Sequence, residues 1–241
     1  MKQSWSLPDV VDALRESTPA RILVGRCGAR PRTADLLRFQ VDHACARDAV
    51  RTPVEREFPD RLGCAVQVHT ASRDKREYLL DPESGRRLRP GEGDRLRKTL
   101  PQEAPVLVAV GDGLSSQAVE SQAPVLLPAL LDCLRAEGIR AVGPIFVHGA
   151  RVGVLDALGE VLAPKVGILL VGERPGLATA RSLSAYLGFE PRPGRTDADR
   201  NVLSNIHEGG VPALEAAAIL AGWIAQMLRE GRSGVGFRPA A

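Results

Sequence analysis

From residue 105 onward the chain alternates short apolar runs with longer amphipathic stretches. PVLVAVGDG reads as a buried strand ending in a Gly-rich turn, and the LSSQAVESQAPVLLPALLDCLRAEG after it suits a helix. The cycle repeats with IRAVGPIFVHG and a short helix near VGVLDALGEVL, then with KVGILLVGERPG leading into LATARSLSAYLG. NVLSNIHEGG opens a fourth unit, and VPALEAAAILAGWIAQMLRE closes it as a final helix. Apolar runs of five to seven residues between helices specify parallel strands covered on both faces, since neither side is left polar. Three of the four strand candidates end in loops bearing Gly-Asp-Gly, Gly-Glu-Arg-Pro-Gly or His-Glu-Gly-Gly. In an open α/β sheet, ligands bind at the carboxyl ends of the strands, where loops of this kind lie.

The first 103 residues follow a different pattern. Residues 7–16 place Leu7, Val10, Val11 and Leu14 at helical spacing. Residues 33–50 suit a second helix, with Thr33 as candidate cap after the helix-hostile Pro31. Between them a short apolar run is broken by Gly25, Gly28 and Pro31. Residues 57–104 are polar and Arg-rich, with turn signals at Asp81–Pro82, Ser84–Gly85 and Pro90–Gly91, and no element stands out. The predicted fold class is α/β: a mainly helical module over 1–103, then a Rossmann-like parallel-sheet domain over 104–241.

Composition narrows the setting. A chain of 241 residues with 25% charged side chains is that of an ordinary globular protein, able to bury roughly 70–75% of its unfolded surface. No apolar run approaches the ~18–20 residues a membrane span needs. The N-terminal MKQSWSLPDVVDALRE carries acids within its apolar stretch and no small-residue cleavage site, so it does not read as a signal peptide. Cys27, Cys45, Cys64 and Cys133 show no CxxC or CxH spacing and read as reduced cytosolic thiols. The net charge of +3 is small, but residues 1–103 hold 20 basic and 16 acidic side chains against 12 and 13 in the remainder. The Arg-rich stretches also carry acids and few aromatics, which favours a solvated or protein-contacting face over nucleic acid.

Candidate chemistry is sparse. In Gly111-Asp112-Gly113-Leu114-Ser115-Ser116 the glycines would let a ligand approach the backbone, and Ser115 would cap the next helix. A plain tight turn fits as well, because the segment matches neither GxGxxG nor the Walker pattern. Glu173 and Arg174 sit at a strand end between glycines, placed either for polar contacts to a ligand or as a local ion pair bracing the loop. Asn205-Ile206-His207-Glu208-Gly209-Gly210 is one residue short of DxHxxG, a pattern that ligates cobalt through His. Without the Asp nothing orients the imidazole, so His207 reads as a turn residue before the last helix. His43, His69 and His148 stand alone, and no catalytic triad can be assembled by motif. Spacing alone therefore says ligand-binding α/β domain, with a stand-alone corrinoid- or nucleotide-binding module as one alternative and an RNA-binding protein as another.

Longer blocks are more specific. ARILVGRCGARPRTADLLRFQVDHACARDAV, SRDKREYLLDPESGRRL, DGLSSQAV, VGERPGLATARSLSAY and DADRNVLSNIHEGGVPALEAA together resemble the small subunit of ethanolamine ammonia-lyase, in the expected order. The resemblance implies an adenosylcobalamin-dependent lyase that turns ethanolamine into acetaldehyde and ammonia by a radical route. It implies a hetero-oligomer whose large subunit, a TIM barrel, carries catalysis, while the small subunit holds the corrinoid against the barrel mouth. It implies cobalamin contacts at Val152 in GARVGV, Glu173 in VGERPG and Val202 in DRNVLSNIH, with Asp112 and Arg174 as secondary candidates. No catalytic residue and no metal ligand is expected in this chain, because cobalamin in that family keeps its own benzimidazole on cobalt. Relatives often carry Cys where Val202 stands, so a thiol contact would be missing here while a backbone contact would persist. The N-terminal module is expected to dock on the large subunit. Several family members carry a longer N-terminal extension associated with microcompartment packaging; the recognised blocks begin near residue 15, and plain cytosol is the expectation. No nucleic-acid or membrane partner is implied.

Overall fold

Three of the four apolar runs fold as the parallel strands that the pattern predicts. In the computed structural model, which describes residues 7–18 and 20–239, the N-terminal part runs α1 (Leu7–Glu16), β1 (Arg26–Cys27), β2 (Arg30–Pro31), α2 (Thr33–Arg51) and α3 (Phe58–Arg61). β3 (Val66–His69), α4 (Lys75–Leu80) and α5 (Glu92–Thr99) follow. Then come β4 (Val106–Gly111), α6 (Ser116–Ala136), β5 (Ala141–His148), α7 (Val154–Leu162) and β6 (Val166–Gly172). The chain ends with β7 (Leu183–Phe189), β8 (Arg200–Ile206) and α8 (Ala213–Glu230). The signal-peptide reading extends into residues 1–6, outside the described residues.

Six strands form one sheet in the order β3-β5-β4-β6-β7-β8. β3, β5, β4 and β6 run parallel, as a Rossmann-like sheet requires. β7 runs against that direction, paired antiparallel with β6, and β8, antiparallel to β7, returns to the direction of the parallel strands. The interposed β7 corrects the expectation that all the pairings would be parallel. The stretch LATARSLSAYLG, expected as a helix, supplies β7. A parallel return would need a crossover of about a dozen residues or more, and the short connection after β6 permits only a hairpin-like reversal. Leu183, Ala185 and Leu187 are buried, with Tyr186 half-buried between them, so the local period is two rather than 3.6. The sheet also draws its edge strand β3 from the Arg-rich segment, with Val68 opposite Val147.

Every residue of β4 and β6 is buried. Val106, Val108 and Val110 face one core, where Leu126 and Leu130 of α6 meet Leu220 and Ile224 of α8. Leu107 and Ala109 face the second core, with Leu96 of α5 and Leu155 and Leu158 of α7. Helices thus sandwich the parallel strands, and truncating one of these aliphatic side chains costs about 2–5 kcal/mol. Ser115 caps α6 as expected, its hydroxyl accepting from the Ala118 amide at 3.2 Å. Thr33 does not cap α2. It is the first helical residue, and Arg32 holds the cap position with no side-chain hydrogen bond.

Candidate functional site

The helices on the α7 side stop short of the sheet's antiparallel edge. Leu155 of α7 packs over Gly167 and Gly188, where the missing side chains make room for it. Beyond that contact Tyr186 of β7 and its cross-strand partner Val202 of β8 lie on the same face. Tyr186 is half-buried, Val202 is 44% exposed and Ser204 is exposed. The opposite side of these strands is closed, since Leu183, Ala185, Leu187 and Ile206 belong to the core under α6 and α8. The result is a flat, partly apolar ledge at one edge of an otherwise covered sheet.

Glu173 stands at the head of this ledge, directly after β6. Its backbone N–H donates to Ser182 O at 3.0 Å. One carboxylate oxygen accepts twice, from the hydroxyl of buried Ser184 at 2.7 Å and from the Asn205 amide at 2.7 Å. Asn205 turns that amide inward by adopting a positive φ of 62°, a conformation Asn tolerates better than most residues. Glu173 therefore ties β6 to β7 and β8, and its second oxygen has no hydrogen-bond partner among the described residues. Arg174 is exposed and makes no ion pair among the described residues, so the local Glu–Arg brace does not form.

Val152 reaches the same region from the other direction. It precedes Gly153, the N-cap of α7, and lines a cavity of about 530 Å³ shared with Tyr186 and Arg200. Asp112 positions this loop: its two oxygens accept from the Gly149 and Ala150 amides at 3.0 and 3.1 Å. The glycines beside Asp112 serve packing rather than ligand approach. A side chain on Gly113 or Gly172 would collide with the other strand's loop, and Leu114 N–H donates to Gly172 O at 3.0 Å. Arg200 is pinned by Asp156 and by Asp197, the latter at 2.7 Å. Burial raises the Asp156 carboxyl above its usual range, and nearby Arg200 only partly offsets it. Burial likewise raises the Tyr186 phenol, helped by the charge of Glu173. Val152, Glu173 and Val202 are thus brought around one residue, Tyr186.

Residues 8–238 match the family model of ethanolamine ammonia-lyase light chain (EutC). The chain belongs to the ethanolamine ammonia-lyase light chain family. A light chain of this lyase acts together with a larger subunit. In this light chain both nitrogens of His207 are engaged within their own turn. Nε2 bonds Asn205 Oδ1 at 2.8 Å, and Nδ1 accepts from the Gly209 amide at 3.0 Å. Sequence reasoning missed Tyr186, Ser184, Arg200 and Asp156. The first two were legible in the alternation Leu183-Ser184-Ala185-Tyr186-Leu187-Gly188, which matches a half-buried strand. The light chain's N-terminal part leaves apolar side chains outside, among them Leu7, Leu14, Leu37, Phe39 and Val41. Among the described residues no helix is long and apolar enough to cross a membrane.

Proposed function

We propose that this light chain holds cobalamin on the β7–β8 ledge and presents it to the catalytic large subunit, a TIM barrel, for the deamination of ethanolamine to acetaldehyde and ammonia. The observation that carries the reading is the convergence of Val152, Glu173 and Val202 on Tyr186, on the face of β7 and β8 opposite α6 and α8. The donor set suits a corrinoid. Val202 and Tyr186 offer an apolar floor to a large macrocycle, and the free oxygen of Glu173 is an acceptor for a side-chain amide N–H. Val152 adds backbone polar groups beside Gly153. Both nitrogens of His207 are engaged within their own turn, which supports its reading as a turn residue. When bound, adenosylcobalamin supplies a cobalt–carbon bond that breaks homolytically and starts radical chemistry. The chain's residues bind, orient and shield one side of that group from water.

The exposed apolar residues of α1 and α2 are the light chain's surface for the large subunit. Cytosolic residence follows from the reduced-thiol reading. The test is cobalamin binding to the co-expressed complex, read by the visible absorbance retained after dialysis. Glu173→Ala should weaken binding about tenfold while light and large chains still co-purify. Unchanged affinity in that variant removes Glu173 from the site, and release of ammonia by the light chain alone defeats the reading.

A further inference from the structure

The cavity beside Val152 holds more positive charge than an apolar contact requires. Arg86, Arg151, Arg195 and Arg200 line it, against Asp156 and Asp197. These four are unequally matched. Arg200, its side chain 6% exposed, is neutralised by both of those acids. Arg195 meets Asp199 at 3.3 Å. Arg86 faces Glu83 at 3.0 Å, but that pair is open to solvent and screened. Arg151 has no carboxylate partner among the described residues. Its guanidinium lies 4.2 Å from the Tyr78 ring centre and donates to Tyr78 O at 2.8 Å, while its buried Nε has no partner.

The two undercommitted guanidiniums flank one backbone feature. The stem of Arg86 packs over Gly153, the cap of α7, which has no side-chain capping bond. Arg151 lies two residues earlier in the same turn. The first amides of α7 already donate to the Arg151, Val152 and Gly153 carbonyls, so the donors for an anion are the guanidiniums, whose planar forks match tetrahedral oxyanions in pairs of hydrogen bonds. Holding an unmatched cation in a half-closed cavity is unfavourable unless an anion arrives.

We infer that this cavity seats a phosphate ester group. The inference rests on the cobalamin reading, because cobalamin carries one phosphodiester in the tail joining its macrocycle to the benzimidazole. Val152 and Tyr186 set the cavity at the border of the ledge that would take the macrocycle. A free phosphate-bearing molecule offers the same chemistry, so the test separates the two sources.

The assembled light and large chains are dialysed against cobalamin and, separately, against cobinamide, which lacks the nucleotide tail and its phosphodiester. Arg151→Met should weaken cobalamin about tenfold and leave cobinamide unchanged, one charge-assisted contact being lost from only one ligand. Arg86→Met, at a half-exposed side chain whose methylene stem the substitution keeps, should act in the same sense by about threefold and carries the test if Arg151→Met fails to assemble. Inorganic phosphate should compete with cobalamin and not with cobinamide. Equal losses for both corrinoids, or no loss, overturn the inference. If phosphate raises the melting temperature of the wild type but not of Arg151→Met, while cobalamin affinity is the same in both, the seat belongs to a free phosphate and the tail assignment fails. A wild-type complex that binds neither corrinoid defeats the cobalamin reading, and the phosphate-induced melting shift then decides the cavity by itself.

Discussion

Strands β4 and β6 are buried on both faces, whereas β7 and β8 are fully covered only on the face turned toward α6 and α8. On the other face Ser184 and Gly188 are buried, Tyr186 is half-buried and Val202 is exposed. The two halves share a sheet, a hydrogen-bond ladder and one continuous core, yet their side chains serve different ends. In the covered half each residue is committed to packing, and nothing there is free to meet a ligand. In the open half every second residue contributes to the core while its neighbour faces outward. Reversal of chain direction at β7 produces this division, because an antiparallel pair needs no crossover helix to roof it. The ledge is thus a consequence of topology.

The comparison breaks first where packing is densest. Leu170→Ala, in the covered half, should cost about 2–5 kcal/mol in urea unfolding of the isolated chain. Glu173→Ala, at the seam, should cost about 1–2 kcal/mol because the buried Ser184 hydroxyl and the Asn205 amide lose their shared acceptor. Val202→Ala, on the ledge, should change stability by less than about 0.5 kcal/mol. Its cobalamin affinity should still drop about threefold, as expected for apolar area lost from a contact. A loss of stability at Val202 comparable with that at Leu170 would mean that the ledge is structural.

A smaller effect should appear at the opposite edge, where β3 and β5 end. Burial lowers the His148 pKa below its ordinary 6.5, with His69 stacked on it at 4.6 Å and Glu92 and Asp112 opposing the shift. The unfolded chain then takes up a proton that the folded chain resists. This contribution to stability is complete above pH 6.5 and declines as the pH falls below it, toward the lowered folded value. Unfolding midpoints measured between neutral pH and pH 5 should fall with acidity in the wild type and fall less in His148→Gln. An identical slope in both would show that His148 titrates alike in the two states.

The covered half was readable because its signal is redundant. A run such as Val106-Leu107-Val108-Ala109-Val110 has no polar member, so neither its period nor its register needs to be inferred. β7 was not readable in the same way. Leu177, Ala178 and Ala180 before it, together with its first residue Leu183, keep helix-compatible spacing, and only the Leu183-to-Gly188 alternation betrays a strand. β3 is four residues long and lies among turns and arginines, where local pattern carries almost no weight. Glu173 was legible as a loop carboxylate, but its two hydrogen-bond donors come from β7 and β8 and depend on tertiary contact. The arginines of the Val152 cavity are spread from Arg86 to Arg200, and no motif unites them.

The central claim is that cobalamin rests on the open half of the sheet. Hydrogen–deuterium exchange of the light–large complex, with and without cobalamin, tests it most directly. The account predicts slowed exchange in residues 200–206 and in the loop around Val152 on adding cobalamin, with β4 and β6 unchanged. Slowing confined to other surfaces, with residues 200–206 exchanging at the same rate in both samples, would contradict it.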